Sequence, residues 1–189
     1  MMAVINSSFA NVVSSFFGSK FQKNIEELMV SPTPNTVIVG GYVVGGMLRG
    51  ILVGLIVLAI SIFFTAPVIT YPLVVFVFIT LTSLVFALGG LTNAIFATKF
   101  DDVSVFTTFV LTPLSYLGGV FYSIKSLPDP WQTIARANPI LYLIDGFRYG
   151  FYGVSDVSIY TSLGVLVIMT VVLIWYNLRL LDKGVGMKN

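Results

Sequence analysis

The sequence predicts an all-α membrane protein, a polytopic helical bundle with about five spans. Three observations carry this: composition, the length of the charge-free runs, and their continuous apolar texture. Of 189 residues, 57% are apolar and only 10% are charged, whereas a soluble domain carries roughly 25% charged residues. The mean hydropathy is +0.97. Charge is absent from 1–19, 28–48, 50–98, 103–124 and 157–178, and one bilayer crossing needs roughly 20 residues. A β-barrel strand would alternate apolar and polar side chains over about ten positions. Here 53–64 and 73–78 are apolar almost throughout, so helices are favoured.

The same composition excludes several classes of function. There are no cysteines and no histidines. Disulfide scaffolds, thiol nucleophiles, the usual zinc and haem sites and every histidine-based triad are therefore excluded. A dispersed net charge of +2 leaves no nucleic-acid footprint. An intramembrane enzyme would need convergent polar groups, and the spans offer Arg49 with scattered Ser, Thr and Asn.

Membrane helices are expected near 1–18, 37–64, 72–97, 104–122 and 158–179. The 50–98 run is long enough for more than one crossing, and Ala66-Pro67 and Tyr71-Pro72 mark a turn inside it. Lys20, Lys23, Lys99, Arg179, Lys183 and Lys188 fall on one side if the spans alternate, against Lys125, Arg136 and Arg148 on the other. The positive-inside rule then makes the C-terminus cytoplasmic. It also places residue 1 outside. Residues 1–19 lack the basic start and small-residue cleavage site of a signal peptide, so the sequence favours a chain from which one upstream crossing is missing.

After the first span, Phe21, Ile25, Leu28 and Met29 recur at helical spacing, with Lys20, Lys23, Glu26 and Glu27 on the other faces. Pro32 and Pro34 stop this short amphipathic helix. It either lies on lipid headgroups or inserts into a partner protein's groove. Its mixed charge favours the groove.

Along the second span, Gly46, Gly50 and Gly54 form a stripe, with Gly41 and Gly45 beside it. Small residues at this spacing let another helix approach closely, either within the chain, in a dimer, or as a moving contact. Arg49 lies in the same span. It either snorkels toward the cytoplasmic headgroups, the favoured reading, or lines a substrate path. Asp101-Asp102 occupy the turn after the third span and read as a solvated turn or a second partner contact.

Residues 123–157 are too polar and proline-broken for a crossing and too apolar for a solvated loop. Pro128, Pro130 and Pro139 punctuate two helical pieces rich in aromatics, including Trp131, Tyr142, Phe147 and Tyr152. The expectation is a re-entrant or interfacial hairpin on the outer side, with Asp145 and Arg148 spaced to pair. It is either an aromatic belt or a gate for an amphipathic substrate.

These residues also carry a resemblance. Leu111, Leu114 and Leu117, then Gly118 and Val120, Leu127-Pro128, Pro139-Ile140, Tyr142 and Arg148 resemble the signature of ABC-2 type transporter permeases, the membrane subunits of bacterial ABC exporters. The stretch FQKNIEELMVSP is similar to the family's cytoplasmic coupling region. The resemblance covers essentially the whole chain as a single transmembrane domain, 1–189, lacking the family's first span. It implies a permease in the bacterial inner membrane that exports an amphipathic substrate such as a lipid-linked glycan, polysaccharide, lipo-oligosaccharide or drug. It also implies two permease copies and two ATPase subunits, with Phe21, Ile25, Glu26, Glu27, Leu28 and Met29 coupling to the ATPase. No G-x-x-x-x-G-K-[ST] phosphate loop occurs in the chain, so ATP hydrolysis is expected on a separate subunit. No cofactor is expected. The alternatives are a passive channel and a truncated or accessory membrane protein without transport activity.

Overall fold

The computed structural model describes residues 1–25, 27, 31–64, 68–120 and 126–186. Among these, every regular element is helical: α1 (Met2–Phe21), α2 (Asn35–Phe64), α3 (Pro72–Phe96), α4 (Phe100–Phe106), a π-helical turn (Thr107–Leu111), α5 (Thr112–Leu117), α6 (Asp129–Ala137), α7 (Pro139–Tyr152) and α8 (Ile159–Asp182). Of these, α2, α3 and α8 are long and apolar enough to cross a membrane.

Two of the five expected spans differ from the simple pattern. The first, α1, is 20 residues long, a full crossing in length at 1.5 Å per residue. It falls short in hydropathy because Asn6, Ser7, Asn11, Ser14 and Ser15 occupy one side of it. The fourth, expected as one helix over 104–122, is divided among α4, the π turn and α5. Pro113 explains the division. It has no N–H to donate, and its ring crowds the carbonyl four residues back. The ladder widens instead, so that the Thr112 N–H reaches the Thr107 carbonyl. The Thr112 hydroxyl donates to the same oxygen at 2.9 Å.

The hub is α3, which packs against α1, α2, α7 and α8. In lipid there is no hydrophobic drive between helices, so association rests on close packing and interhelical hydrogen bonds. Both are present. Ile5, Phe9, Val12 and Phe16 of α1 are buried at helical spacing. On its neighbouring side, Val4, Ser8 and Val12 stand over Gly54, Gly50 and Gly46 of the antiparallel α2. A Cβ at Gly46 or Gly50 would collide with α1, and at Gly54 it would come within 2.9 Å of Val4. The glycine stripe thus serves packing within the chain. Between α3 and α8 the fully buried Asn177 supplies a polar bond. Its amide donates to the Leu88 and Leu173 carbonyls at 3.2 and 2.8 Å, and its oxygen accepts from Thr92 at 3.1 Å.

The helices alternate in direction, which separates two ends. At one end the Lys20 ammonium donates to the Ile95 and Ala97 carbonyls at 2.9 and 2.7 Å, capping α3, and Asn35 donates to Asp182 at 2.7 Å. Lys99, Arg179 and Lys183 lie at this end, the one that the charge rule would make cytoplasmic. At the other end the Thr70 and Tyr71 amides donate to the Phe151 and Gly150 carbonyls.

Candidate functional site

Three places hold the residues singled out by sequence: the hairpin at the outer end, the middle of the α1–α2 pair, and the segment after α1.

The hairpin is built on its prolines. Pro128 is the N-cap of α6, and Pro130 opens it, where a missing N–H costs nothing. Pro139 opens α7 behind Asn138, whose side-chain oxygen accepts from the Ile140 N–H at 3.0 Å. The Asn138 amide also donates to the Leu114 carbonyl at 2.6 Å. The vertex between α6 and α7 therefore reaches below the end of α5. From there α7 rises along α3, with Gly146 seated on the Phe78 ring and Gly150 on Val75. Gly153 ends it in the left-handed region at φ 69°. Tyr142 stitches the two legs of the hairpin by donating to the Arg136 carbonyl at 2.8 Å.

Asp145 and Arg148 form the ion pair that their spacing permits, at 2.7 Å, and the same guanidinium nitrogen reaches Asp156 at 2.6 Å. Asp145 is 1% exposed. Its two carboxylate oxygens accept the Asp156 and Val157 amides at 2.8 and 3.0 Å, so it ties α7 to the turn before α8. Sequence reasoning named Asp145 and Arg148 but missed Asn138 and the closure through Asp156. The Asn-Pro pair is an N-cap signal. Asp156 carried no local signal, because it is eight positions from Arg148, past the end of α7 and into the following turn. A cavity of about 690 Å³ opens between the hairpin and the starts of the bundle, lined by Met2, Val57, Val120, Phe147, Arg148 and Phe151 among others.

Arg49 lies halfway along α2, level with the middle of α1. It is exposed, and it donates to the Asn11 side-chain oxygen at 3.0 Å. This replaces the expected snorkelling. Asn11 is nine residues from Lys20, or roughly 13 Å along the helix, so the guanidinium bonds sideways to α1 rather than toward the Lys20 end. A charge at this depth costs at least roughly 2.5–3.5 kcal/mol against lipid. Polar α1 positions surround it: Asn6, Ser14 and Ser15 are exposed, and Ser7 and Asn11 partly so. Such a face belongs against water or polar protein. Beside it a groove of about 480 Å³ runs toward the cytoplasmic end, lined by Asn11, Ser15, Thr33, Val37, Gly41 and Gly45 among others.

After α1, the expected single face is broken. Lys23 adopts φ 62°, which resets the helical phase between Phe21 and the next turn at Asn24, Ile25 and Glu27. Phe21 is 67% exposed, while Ile25 is 2% exposed and packs into the core. Glu27 is exposed. Glu26, Leu28 and Met29 lie outside the described residues, as does Lys125. In the nearby turn, the Asp102 carboxylate accepts the Thr98 amide, the Thr98 hydroxyl and the Lys99 amide at 2.8–3.0 Å. The Thr98 backbone bond leads in holding this carboxyl below its ordinary pKa, followed by the Thr98 hydroxyl and the Lys99 amide. Asp101 is exposed. Among the described residues no group of His, Cys, Asp and Glu is arranged to hold a metal.

The family model described as ABC-2 type transporter matches residues 1–152. The Escherichia coli K12 inner membrane transport permease YadH is 51% identical over the full 189 residues, which cover 74% of that protein. Nodulation protein J of Rhizobium leguminosarum bv. trifolii is 31% identical over 105 residues, 56% of this chain and 40% of the relative. The Haemophilus influenzae capsule polysaccharide export inner-membrane protein BexB is 33% identical over 106 residues, 53% of this chain and 38% of the relative. No solved structure gives a significant match.

Proposed function

Because the chain belongs to the ABC-2 type transporter family, we propose that it is a multi-pass inner-membrane permease subunit that moves an amphipathic substrate outward, with ATP hydrolysed on a separate subunit. The observation that carries this reading is the polar side of α1 with Arg49 at mid-membrane. A polar stripe along a crossing-length helix suits a passage and is costly against lipid. The relatives named for transport and for polysaccharide export support an export role and a polar part of the cargo. The aromatic hairpin and its cavity suit an exit lined by α1 and the fourth span, and Arg148 keeps that exit braced by holding Asp145 and Asp156 together. Two permease copies would complete the passage, since one copy leaves the polar face open.

The segment after α1 is the proposed coupling site, with Phe21 and Glu27 as exposed side chains of the sequence-predicted set among the described residues. It adjoins Lys20, whose grip on the end of α3 joins the segment to the hub. Work delivered there would reach the bundle through packed helices rather than through a loop.

The test is co-expression with an ABC ATPase, purification of the pair and reconstitution. Stable association and ATPase activity raised by the permease are expected. Phe21→Ala with Glu27→Arg should lose at least tenfold in association while the permease stays folded. Full association and stimulation by that double variant would overturn the coupling site. A permease that never associates with an ATPase would overturn the driven-transport reading.

A further inference from the structure

We propose that Arg49 is an oxyanion-binding site for an amphiphile that enters along the α1–α2 groove from the cytoplasmic side. The inference deepens the transport reading above and rests on it.

Two observations converge on it. The first is the charge itself. Arg49 is exposed halfway along α2, and the bond recorded for it is the one to Asn11. A guanidinium carries five N–H donors in a planar fork that matches the two oxygens of a phosphate or carboxylate. Asn11 is a neutral acceptor, so it orients the fork without neutralising it. The charge is held in place with donors to spare, and a charge-assisted bond to an anion is stronger than one to a neutral acceptor.

The second is the groove. It begins at Thr33, at the cytoplasmic end of α2, and reaches Asn11, which holds Arg49. Its α2 wall is made by Gly41 and Gly45 together with Val37. At Gly41 a Cβ would meet nothing within 4 Å, and at Gly45 only the Asn11 amide at 3.9 Å. This contrasts with Gly46 and Gly50, whose missing side chains make room for α1. The Gly41–Gly45 pair instead leaves open volume beside a partly apolar wall. Its volume of about 480 Å³ suits an extended alkyl chain, and a charged head at its Asn11 end would be within reach of the Arg49 fork, which is one hydrogen bond beyond the groove's own lining. Charge complementarity therefore selects an anionic head, and the Val37, Ile38 and glycine wall on α2 suits an apolar tail.

The probes are dodecyl phosphate and inorganic phosphate, titrated into the full chain in a neutral maltoside detergent and followed by phosphorus NMR line broadening. Saturable binding of dodecyl phosphate is expected. Arg49→Gln should weaken it at least tenfold. Asn11→Asp should do the same, because the new carboxylate fills the fork while an Asp–Arg pair keeps the two helices joined. Loss of binding in that variant is therefore not a loss of fold. Gly41→Phe should weaken dodecyl phosphate by fivefold or more through filling the groove. Equal binding by the parent chain, Arg49→Gln and Asn11→Asp would overturn the site. Inorganic phosphate binding as tightly as dodecyl phosphate would overturn the amphiphile. The measurement needs no ATPase. Failure here with intact ATPase stimulation removes this site and leaves the permease reading standing. Arg49-dependent binding without ATPase association supports the site and removes that reading.

Discussion

Replacing Arg148 by Gln tests how the hairpin is held. The guanidinium nitrogen makes two charged hydrogen bonds, at 2.7 Å to Asp145 and 2.6 Å to Asp156, and the carboxylate side chains are 1% and 8% exposed. Removing one partner of a buried ion pair costs about 3–5 kcal/mol, because the remaining charge stays buried. Here two carboxylates would be left facing each other. Asp145 keeps its two backbone N–H bonds, which offsets part of the loss. A value near 3 kcal/mol is therefore expected. For a chain of this size that corresponds to a drop of roughly 6–12 °C in midpoint. Asp145→Asn should cost about as much, since one amide oxygen cannot serve both N–H groups and its NH2 would face the guanidinium. Asp156→Asn should cost less, about 1–2 kcal/mol, through the loss of one charged bond. Thermal unfolding in detergent, followed by tryptophan fluorescence, reads all three. The double variant of Asp145→Asn with Arg148→Gln should fall short of the summed losses by more than about 1 kcal/mol. Losses that add within about 0.5 kcal/mol would show that the two residues act independently, and their coupling in one buried network would be refuted.

Gly50→Ala places a methyl group against Ser8 and Ser83 and should cost about 1–3 kcal/mol by overpacking, whereas Gly41→Ala, with open space around it, should be neutral or gain up to about 1 kcal/mol in helix propensity; midpoints of the two variants compare them directly. Ile25→Asp should unfold or prevent insertion of the chain, since Ile25 is 2% exposed, and proteolysis in membranes would separate this from a simple loss of partner binding. Asp102 has a lowered folded pKa, so the Thr98–Lys99 turn is at full strength above the ordinary carboxylate pKa and weakens as pH falls through the lower folded value. The Thr98 and Lys99 amide chemical shifts should move in that acidic window, and Asp102→Asn should abolish the movement.

The helical class, the outer hairpin and the Asp145–Arg148 pair were legible because each is a local pattern: long apolar runs, proline punctuation, and charges three residues apart. The glycine stripe was legible as a close-packing device, but its partner was not. Only the tertiary arrangement brings Val4, Ser8 and Val12 onto it. The segment after α1 misled because periodicity assumes an unbroken helix. A single residue at Lys23 with positive φ turns Ile25 inward while Phe21 stays outside. The fourth span misled in a related way, since Pro113 was read within a continuous crossing and the widened turn before it was not foreseen. Arg49 was visible as a rare intramembrane charge, yet its orientation depended on Asn11, 38 positions away, and no periodicity links the two.

The occupied glycine stripe has a bearing on how two such chains would meet. Because Gly46, Gly50 and Gly54 already receive α1 of their own chain, that surface has no room for a neighbour's backbone. A second subunit must use some other side, and the serine- and asparagine-bearing side of α1 is the one that gains by being shielded from acyl chains. Were two copies to pair there, the guanidinium would be enclosed in the seam between them.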